Sequence, residues 1–267
     1  MATNSTRQFA VVTGASRGIG YELAKQFALN GFDLLIAADS ELVHRAASDL
    51  QALGANVQPV QVNLAKHEGT HELLAAIDEA GRPVDAVAIN AGVGVGGRFI
   101  ETDLAEEMDM VRLNVLSVLH LVKYMAKQMV ARGNGRILIT SSIAGTMPTP
   151  YEAVYGATKA FDRSLGQSIR EELKDTGVTV TVLMPGATET NFFRRAGADD
   201  TKLGASEKDD PAEVAKDGFE ALMAGKDHVV AGSLKNKFQA AAGYTLPDPL
   251  VGKWHANLAE PGSAQKK

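Results

Sequence analysis

Tyr155 and Lys159 stand four residues apart in the run Tyr155-Gly156-Ala157-Thr158-Lys159. On a helix that spacing puts both side chains on one face, so a phenol and an ammonium can point into one site. A nearby cation favours phenolate and lowers the phenol pKa. Tyr155 is therefore a candidate general acid for carbonyl reduction and a candidate base for alcohol oxidation. Ser142, in Thr140-Ser141-Ser142, follows an apolar run and can donate to a substrate oxygen as negative charge develops on it. Each feature has a plain reading: a Tyr/Lys spacing is common on solvated helix faces, and a serine at a strand end is often a turn residue or cap.

A second constellation is Thr13-Gly14-Ala15-Ser16-Arg17-Gly18-Ile19-Gly20. It lies between an apolar run and a stretch with helical period. Glycines there let the backbone turn tightly and approach a pyrophosphate, and the following helix offers free N–H groups and a positive dipole end. The glycine trio alone is a weak signal; the strand before it and the helix after it make it specific. Asn90-Ala91-Gly92 closes another apolar run, and Asn114 falls in mid-helix, where asparagine is mildly unfavourable unless it is buried for a reason.

The elements that must position these residues follow from periodicity. Residues 9–13, 34–37, 57–62, 84–89, 136–140 and 178–184 read as strands, and 228–230 as a seventh. Between them lie helical stretches. Ile19, Leu23 and Phe27 mark one helix face. Ser40 is a candidate cap for a helix whose inner face is Leu42, Ala46, Leu50 and Leu53. A long helix places Leu104, Met108, Val111, Val115, Val118 and Val122 on one side, and another carries Phe161, Leu165, Ile169 and Leu173. Alternating strands and helices predict an α/β fold, a doubly wound Rossmann-type parallel sheet with helices on both faces, with ligands beyond the carboxyl ends of the strands. The 267 residues suit a single catalytic domain. Within it, residues 1–8 are a polar tail, 187–210 a mobile substrate loop or lid, 232–267 a C-terminal extension, and 262–267 its frayed end.

Taken together and in order, these motifs resemble the short-chain dehydrogenase/reductase family in its shorter single-domain branch, over about residues 9–190. The glycine motif T-G-x-x-x-G-x-G matches Thr13 to Gly20. The N-A-G element matches Asn90, Ala91 and Gly92, with Ile89 in place of the usual first asparagine. The serine matches Ser142, thirteen residues before Tyr155. The family's helix asparagine matches Asn114, and P-G-x-x-x-T matches Pro185, Gly186 and Thr190. The resemblance implies a nicotinamide-dependent oxidoreductase acting on a carbonyl or alcohol. It implies that Tyr155 transfers the proton and that Ser142 orients the substrate oxygen. Lys159 would bind ribose hydroxyls and lower the Tyr155 pKa, and Asn114 would link Lys159 to a proton relay through a water. Gly14, Ser16, Arg17, Gly18, Ile19, Gly20, Asp39, Asn63, Leu64, Asn90, Ala91 and Gly92 would line the cofactor. So would Pro185, Gly186, Thr190 and Thr188, the last against the nicotinamide amide. A homo-oligomer, tetramer or dimer, is also implied, built on helices over 103–131 and 154–175, with Leu116, Tyr124 and Phe161 among the outward apolar groups.

Two departures bear on the cofactor. The family often has aspartate after the third strand to hold adenine; here Asn63-Leu64 occupies that place, and its amide remains suitable. The second strand runs into Asp39, a carboxylate suited to a ribose 2′-hydroxyl and repellent to a 2′-phosphate, whereas Arg17 would favour that phosphate. The cofactor is NAD or NADP, with NAD favoured. The expected substrate-pocket edges are residues 93–97, 143–147, Tyr151, Phe192 and Phe193, mostly apolar, with Arg194 and Arg195 leaving room for an acidic substituent.

Composition narrows the alternatives. A formal net charge of -5 without a basic stripe argues against nucleic acid. Absence of cysteine removes disulfides, thiolate metal sites and thiol nucleophiles. No apolar run reaches membrane-spanning length, and the first residues lack a signal core, so a cytoplasmic enzyme with no membrane partner is expected. A catalytically inactive dinucleotide-binding regulator of the same fold would not need the Ser142, Tyr155 and Lys159 set. His67-Glu68-Gly69-Thr70-His71 fits the zinc-peptidase pattern H-E-x-x-H. Gly69 weakens its helix and no third ligand is evident, although Glu101, Glu106 and Glu107 lie downstream, so no metal is expected.

Overall fold

Strands of the sheet here show opposite faces by simple alternation. In the computed structural model, which describes residues 7–265, β1 (Gln8–Thr13) sends Ala10 and Val12 to one side and Phe9 and Val11 to the other. β2 (Phe32–Ala38) repeats the pattern, with Leu34 and Ile36 against Leu35 and Ala37. Every side chain of β2 is buried, as expected for a parallel strand covered on both faces. β3 (Val57–Gln61), β4 (Ala86–Ile89), β5 (Gly135–Thr140), β6 (Val178–Met184) and β7 (His228–Val230) complete a seven-stranded sheet among the described residues. All pairings are parallel, in the order β3-β2-β1-β4-β5-β6-β7. The chain winds outward from β1 to β3, then returns to place β4 on the other side of β1. That reversal leaves a crevice at the carboxyl ends of β1 and β4.

One face is covered by α1 (Gly18–Leu29), α2 (Leu42–Gln51) and α9 (Pro211–Met223). Phe27 packs edge-on against both Phe32 and Phe219, with ring centroids 5.1 Å apart in each pair, which ties α1 to β2 and α9. The other face is covered by α3 (His67–Glu79), by α5 (Val118–Arg132), which follows α4 (Leu104–Val111), and by α6 (Ala153–Glu172). Between β6 and α9 the segment carries two single-turn helices, α7 (Phe192–Arg195) and α8 (Lys202–Ala205). The chain ends in α10 (Leu234–Thr245) and α11 (Asp248–Ala259). None of the described helices is long and apolar enough to cross a membrane.

Several details correct the sequence reading. α2 buries Val43, Ala46, Ala47 and Leu50, while Leu42 and Leu53 are exposed. Ser40 does accept a hydrogen bond from Leu42 N at 3.3 Å, just ahead of the helix. The long helix is not one α-helix. A π-helical stretch, Arg112–Ser117, separates α4 from α5, and the buried positions on its N-terminal side are Glu107 and Met110. Leu104 and Met108 face outward instead. The segment 187–210, expected as a mobile loop, carries the single-turn helices α7 and α8, and Thr188 bridges to Asp209. The end of the chain is docked as far as it is described: Ser263 is buried and its hydroxyl accepts from Lys202 N at 2.9 Å. Residues 1–6 of the expected polar tail and 266–267 of the expected frayed end lie outside the described residues.

Candidate active site

The glycine loop joins β1 to α1 with no room for side chains at its glycines. Gly14 and Gly18 have φ of +69° and +58°, and a Cβ on Gly20 would lie 2.3 Å from the Gly14 carbonyl oxygen. α1 begins after Arg17 with no side-chain cap and no acidic residue in its first turn. Its leading N–H groups and positive end therefore face the crevice without a protein anion. This is the donor chemistry a pyrophosphate requires, so the loop fits a dinucleotide. Gly14, Ser16, Arg17, Gly18, Ile19, Gly20, Asp39, Asn63, Leu64, Asn90, Ala91, Gly92, Pro185, Gly186, Thr188 and Thr190 all line one continuous cleft.

At the far end of this cleft Asp39 stands half exposed beyond β2. Its Oδ2 pairs with Arg195 Nη2 at 3.4 Å, a contact between positions 156 residues apart that no local pattern announces. Arg195 thus turns toward Asp39, whereas the sequence places it at the edge of the substrate pocket. Asn63 accepts a hydrogen bond from Ala65 N at 2.9 Å through Oδ1. Thr188 donates to the Gly186 carbonyl at 3.1 Å.

Ser142, Tyr155, Lys159 and Asn114 converge at the other end, and all four are buried. Ser142 stands in extended conformation before a 3-10 turn, Ile143–Thr146; its Oγ accepts from Ala144 N at 3.1 Å. Tyr155 and Lys159 share a face of α6. Burial pushes the Tyr155 phenol well above its ordinary pKa, the Glu152 carboxylate adds to that, a hydrogen bond with Ser142 works against it, and Asp162 pushes upward again. The Lys159 ammonium donates to the Thr140 carbonyl and to Asp162 Oδ2, each at 2.9 Å. Asp162 is fully buried, and burial raises its own pKa against the opposing pull of Lys159. One of the three ammonium N–H bonds remains free of these two partners. The absent Cβ of Gly92 would lie 3.4 Å from Nζ, so Gly92 keeps the approach to it open.

Asn114 sits within the π-helical stretch. Both of its amide N–H bonds are used, one to the Val93 carbonyl at 2.9 Å and one to Thr158 Oγ1 at 3.0 Å, while Oδ1 accepts from Val93 N at 3.1 Å. The side chain braces the loop after β4 against α6; its amide has no donor left for a relay.

The substrate end is walled by Val93, Ile143, Ala144, Met147, Phe192, Phe193 and Leu203, joined by Trp254, Leu258 and Gln239. The last three come from α10 and α11, which the sequence reading left as an unassigned extension. Tyr151, Gly96 and Gly97 line a separate small pocket instead of this cleft. A buried Glu152–His255 pair, Oε2 to Nε2 at 3.1 Å, joins the start of α6 to α11 at the cleft wall. This pair is not anticipated from the sequence, because it joins positions 103 residues apart.

Residues 8–201 match the family model described as short chain dehydrogenase. The 3-oxoacyl-[acyl-carrier-protein] reductase of Escherichia coli K12 is 33% identical over 201 residues, 75% of this chain and 81% of that protein. A short-chain dehydrogenase from Sphingobium yanoikuyae, solved with NADPH, superposes with a TM-score of 0.80 at 26% identity, over 88% of this chain and 92% of that one. A short-chain dehydrogenase/reductase from Burkholderia phymatum, solved with NAD, gives 0.78 at 26% identity, over 84% and 88%.

Removing the Glu152 charge takes away an upward influence on the Tyr155 phenol. Glu152→Gln is expected to move the Tyr155 titration to lower pH. Ultraviolet difference titration, with the Tyr155→Phe protein as the blank for the other tyrosines, reads this directly. An unmoved midpoint means that Glu152 does not act on the phenol.

Proposed function

Since this chain belongs to the short-chain dehydrogenase/reductase family and is an NAD(P)-dependent oxidoreductase, we propose that its substrate is a hydrophobic small molecule bearing a ketone, aldehyde or secondary alcohol. The observation that carries this reading is the meeting of the Ser142 and Tyr155 hydroxyls at the apolar end of the cleft that the glycine loop opens. The dinucleotide, when bound, supplies or takes the hydride. Tyr155 gives its proton to the substrate oxygen in reduction and accepts it back in oxidation. Ser142 holds that oxygen by donating to it as charge develops. The remaining N–H of Lys159 serves the ribose hydroxyls, and Asn114 keeps the loop after β4 in register with α6. Because burial keeps the phenol protonated, the resting site holds the proton that reduction uses. Val93, Ile143, Met147, Phe192 and Trp254 favour an apolar body on the substrate and exclude water from the reacting carbon.

Tyr155→Phe is expected to lower turnover by roughly 10²–10⁴ while cofactor affinity stays, because only the acid–base hydroxyl is removed. Steady-state rates together with cofactor titration check it. Near-normal turnover on the true substrate defeats the proposed role.

We read the cofactor preference as NAD, set by Asp39 at the ribose edge and moderated by Arg17 and Arg195. Arg195 neutralises part of the Asp39 charge, so the two substitutions should act oppositely. Asp39→Ala should shift preference toward NADP, and Arg195→Ala should widen the preference for NAD. Comparison of kcat/KM with both cofactors decides this. A wild-type preference for NADP, unmoved by the Asp39 substitution, removes Asp39 from the role.

Leu104, Met108, Leu116 and Leu119 are exposed along α4, the π-helical stretch and α5. We propose that this ridge packs in a homo-oligomer, a tetramer or dimer. Light scattering should give a multiple of the 28.2 kDa chain mass; only monomer at micromolar concentration contradicts it.

A further inference from the structure

The motif His67-Glu68-Gly69-Thr70-His71 has no part in hydride transfer, and folding gives it a third imidazole. His67 and His71 lie one turn apart at the start of α3, with their Nε2 atoms 3.0 Å apart. His120 on α5 faces them. Its ring centroid is 5.7 Å from that of His67 and 6.1 Å from that of His71. One nitrogen from each ring lies within 4.8 Å of the other two. We propose that His67, His71 and His120 form a binding site for one divalent transition-metal ion of the zinc class, outside the catalytic cleft.

The donor set and spacing suit such an ion. Imidazole nitrogens bind zinc, copper and nickel well. At zinc–nitrogen bonds of about 2.0–2.1 Å, tetrahedral ligands stand roughly 3.3 Å apart. The His67–His71 pair is already near that separation, and rotation of one exposed side chain brings His120 in. Without metal, the short Nε2 contact requires one ring to donate and the other to accept. A metal takes the lone pair of each ring and places the third ligand in the same arrangement.

The backbone supporting the rings is fixed independently of them. His120, Tyr124 and Gln128 recur every four residues on one face of α5. Tyr124 Oη donates to Asp78 Oδ1 of α3, and Gln128 Nε2 reaches the same oxygen at 3.5 Å. The two helices are thus joined farther along their seam, and the rings meet without rearrangement of the chain. All three histidines are exposed, so an ion reaches them from solvent and water completes its coordination. None of them lines the cleft where the oxidoreductase residues gather. The site is read as a metal clip between α3 and α5, not as a peptidase centre.

The test uses the full chain without an affinity tag, stripped with chelator and desalted, and titrated with Zn²⁺ alone against a chromophoric competitor. One equivalent is expected. Each of His67→Ala, His71→Ala and His120→Ala should lower affinity at least about tenfold, since even outer-shell losses cost that much. Co²⁺ should give the visible absorption of a low-coordinate nitrogen site in the wild type, and that band should vanish in each variant. Retained oxidoreductase turnover in all three variants shows that they fold. Affinity should fall on acidification, because the ligands must be deprotonated. Undiminished binding in His120→Ala reduces the site to a two-histidine surface contact and overturns the proposal. Several weak equivalents indifferent to all three substitutions also overturn it, as adventitious binding, and so does no binding.

Discussion

The catalytic arrangement depends on a small polar lock at the carboxyl ends of β1, β4 and β5. Thr13 Oγ1 accepts from both Asn90 N and Ala91 N at 3.0 Å, and Asn90 Nδ2 returns a hydrogen bond to the Thr13 carbonyl at 3.3 Å. Thr140 then donates to Asn90 Oδ1 at 3.2 Å. These bonds pin together three chain exits just beyond the ends of the β1–β4 and β4–β5 ladders. One exit carries the glycine loop, one carries Gly92 and Val93, and one carries Ser142. Breaking any link would leave buried polar atoms unpaired, which is costly in a low-dielectric crevice. The lock extends through Thr140, whose carbonyl receives Lys159, and through Ser141, whose hydroxyl donates to the Lys159 carbonyl at 2.7 Å. α6, and with it Tyr155, is thereby referenced to the same strand ends.

What the sequence reveals and what it hides divide along this line. The inner strands are legible because they are short apolar runs buried on both faces, and the glycine loop is legible because its backbone conformations admit little else. Tyr155, Lys159 and Ser142 are found because their spacing is local. The inward face of α4 is misread because apolar periodicity assumes one uninterrupted helix. The π-helical stretch at Arg112–Ser117 breaks that assumption, and buried Glu107, bonded by Thr102 at 2.8 Å, replaces the expected leucine contact. The C-terminal helices are faint for a different reason. They pack through Ala240, Ala242, Gly252 and Ala259, small residues that leave little periodic hydrophobic signal. Their contribution of Trp254, His255 and Leu258 to the cleft is a tertiary event. The Asp39–Arg195 pair and the approach of His120 to His67 and His71 are hidden likewise, since each joins residues distant in the chain.

The Lys159–Asp162 pair shows why a motif can be recognised before its electrostatics are known. A lone buried ammonium beside a phenol would stabilise phenolate strongly, since charges interact far more in the interior than in water. Here Asp162, one turn further along α6, supplies the opposite charge at 2.9 Å. Desolvating both ions is expensive, and their attraction offsets that cost only while the geometry is kept. The pair therefore acts on Tyr155 mainly as a compact dipole, whose field falls off faster than that of a single charge. Burial, and after it Glu152, push the phenol upward from its ordinary pKa. Lys159 retains a separate asset, a well-held N–H directed by Thr140 and Asp162 toward the opening beside Gly92. The lysine is thus an oriented donor paired with Asp162, and the influences on the Tyr155 phenol come from burial first, then Glu152, Ser142 and Asp162.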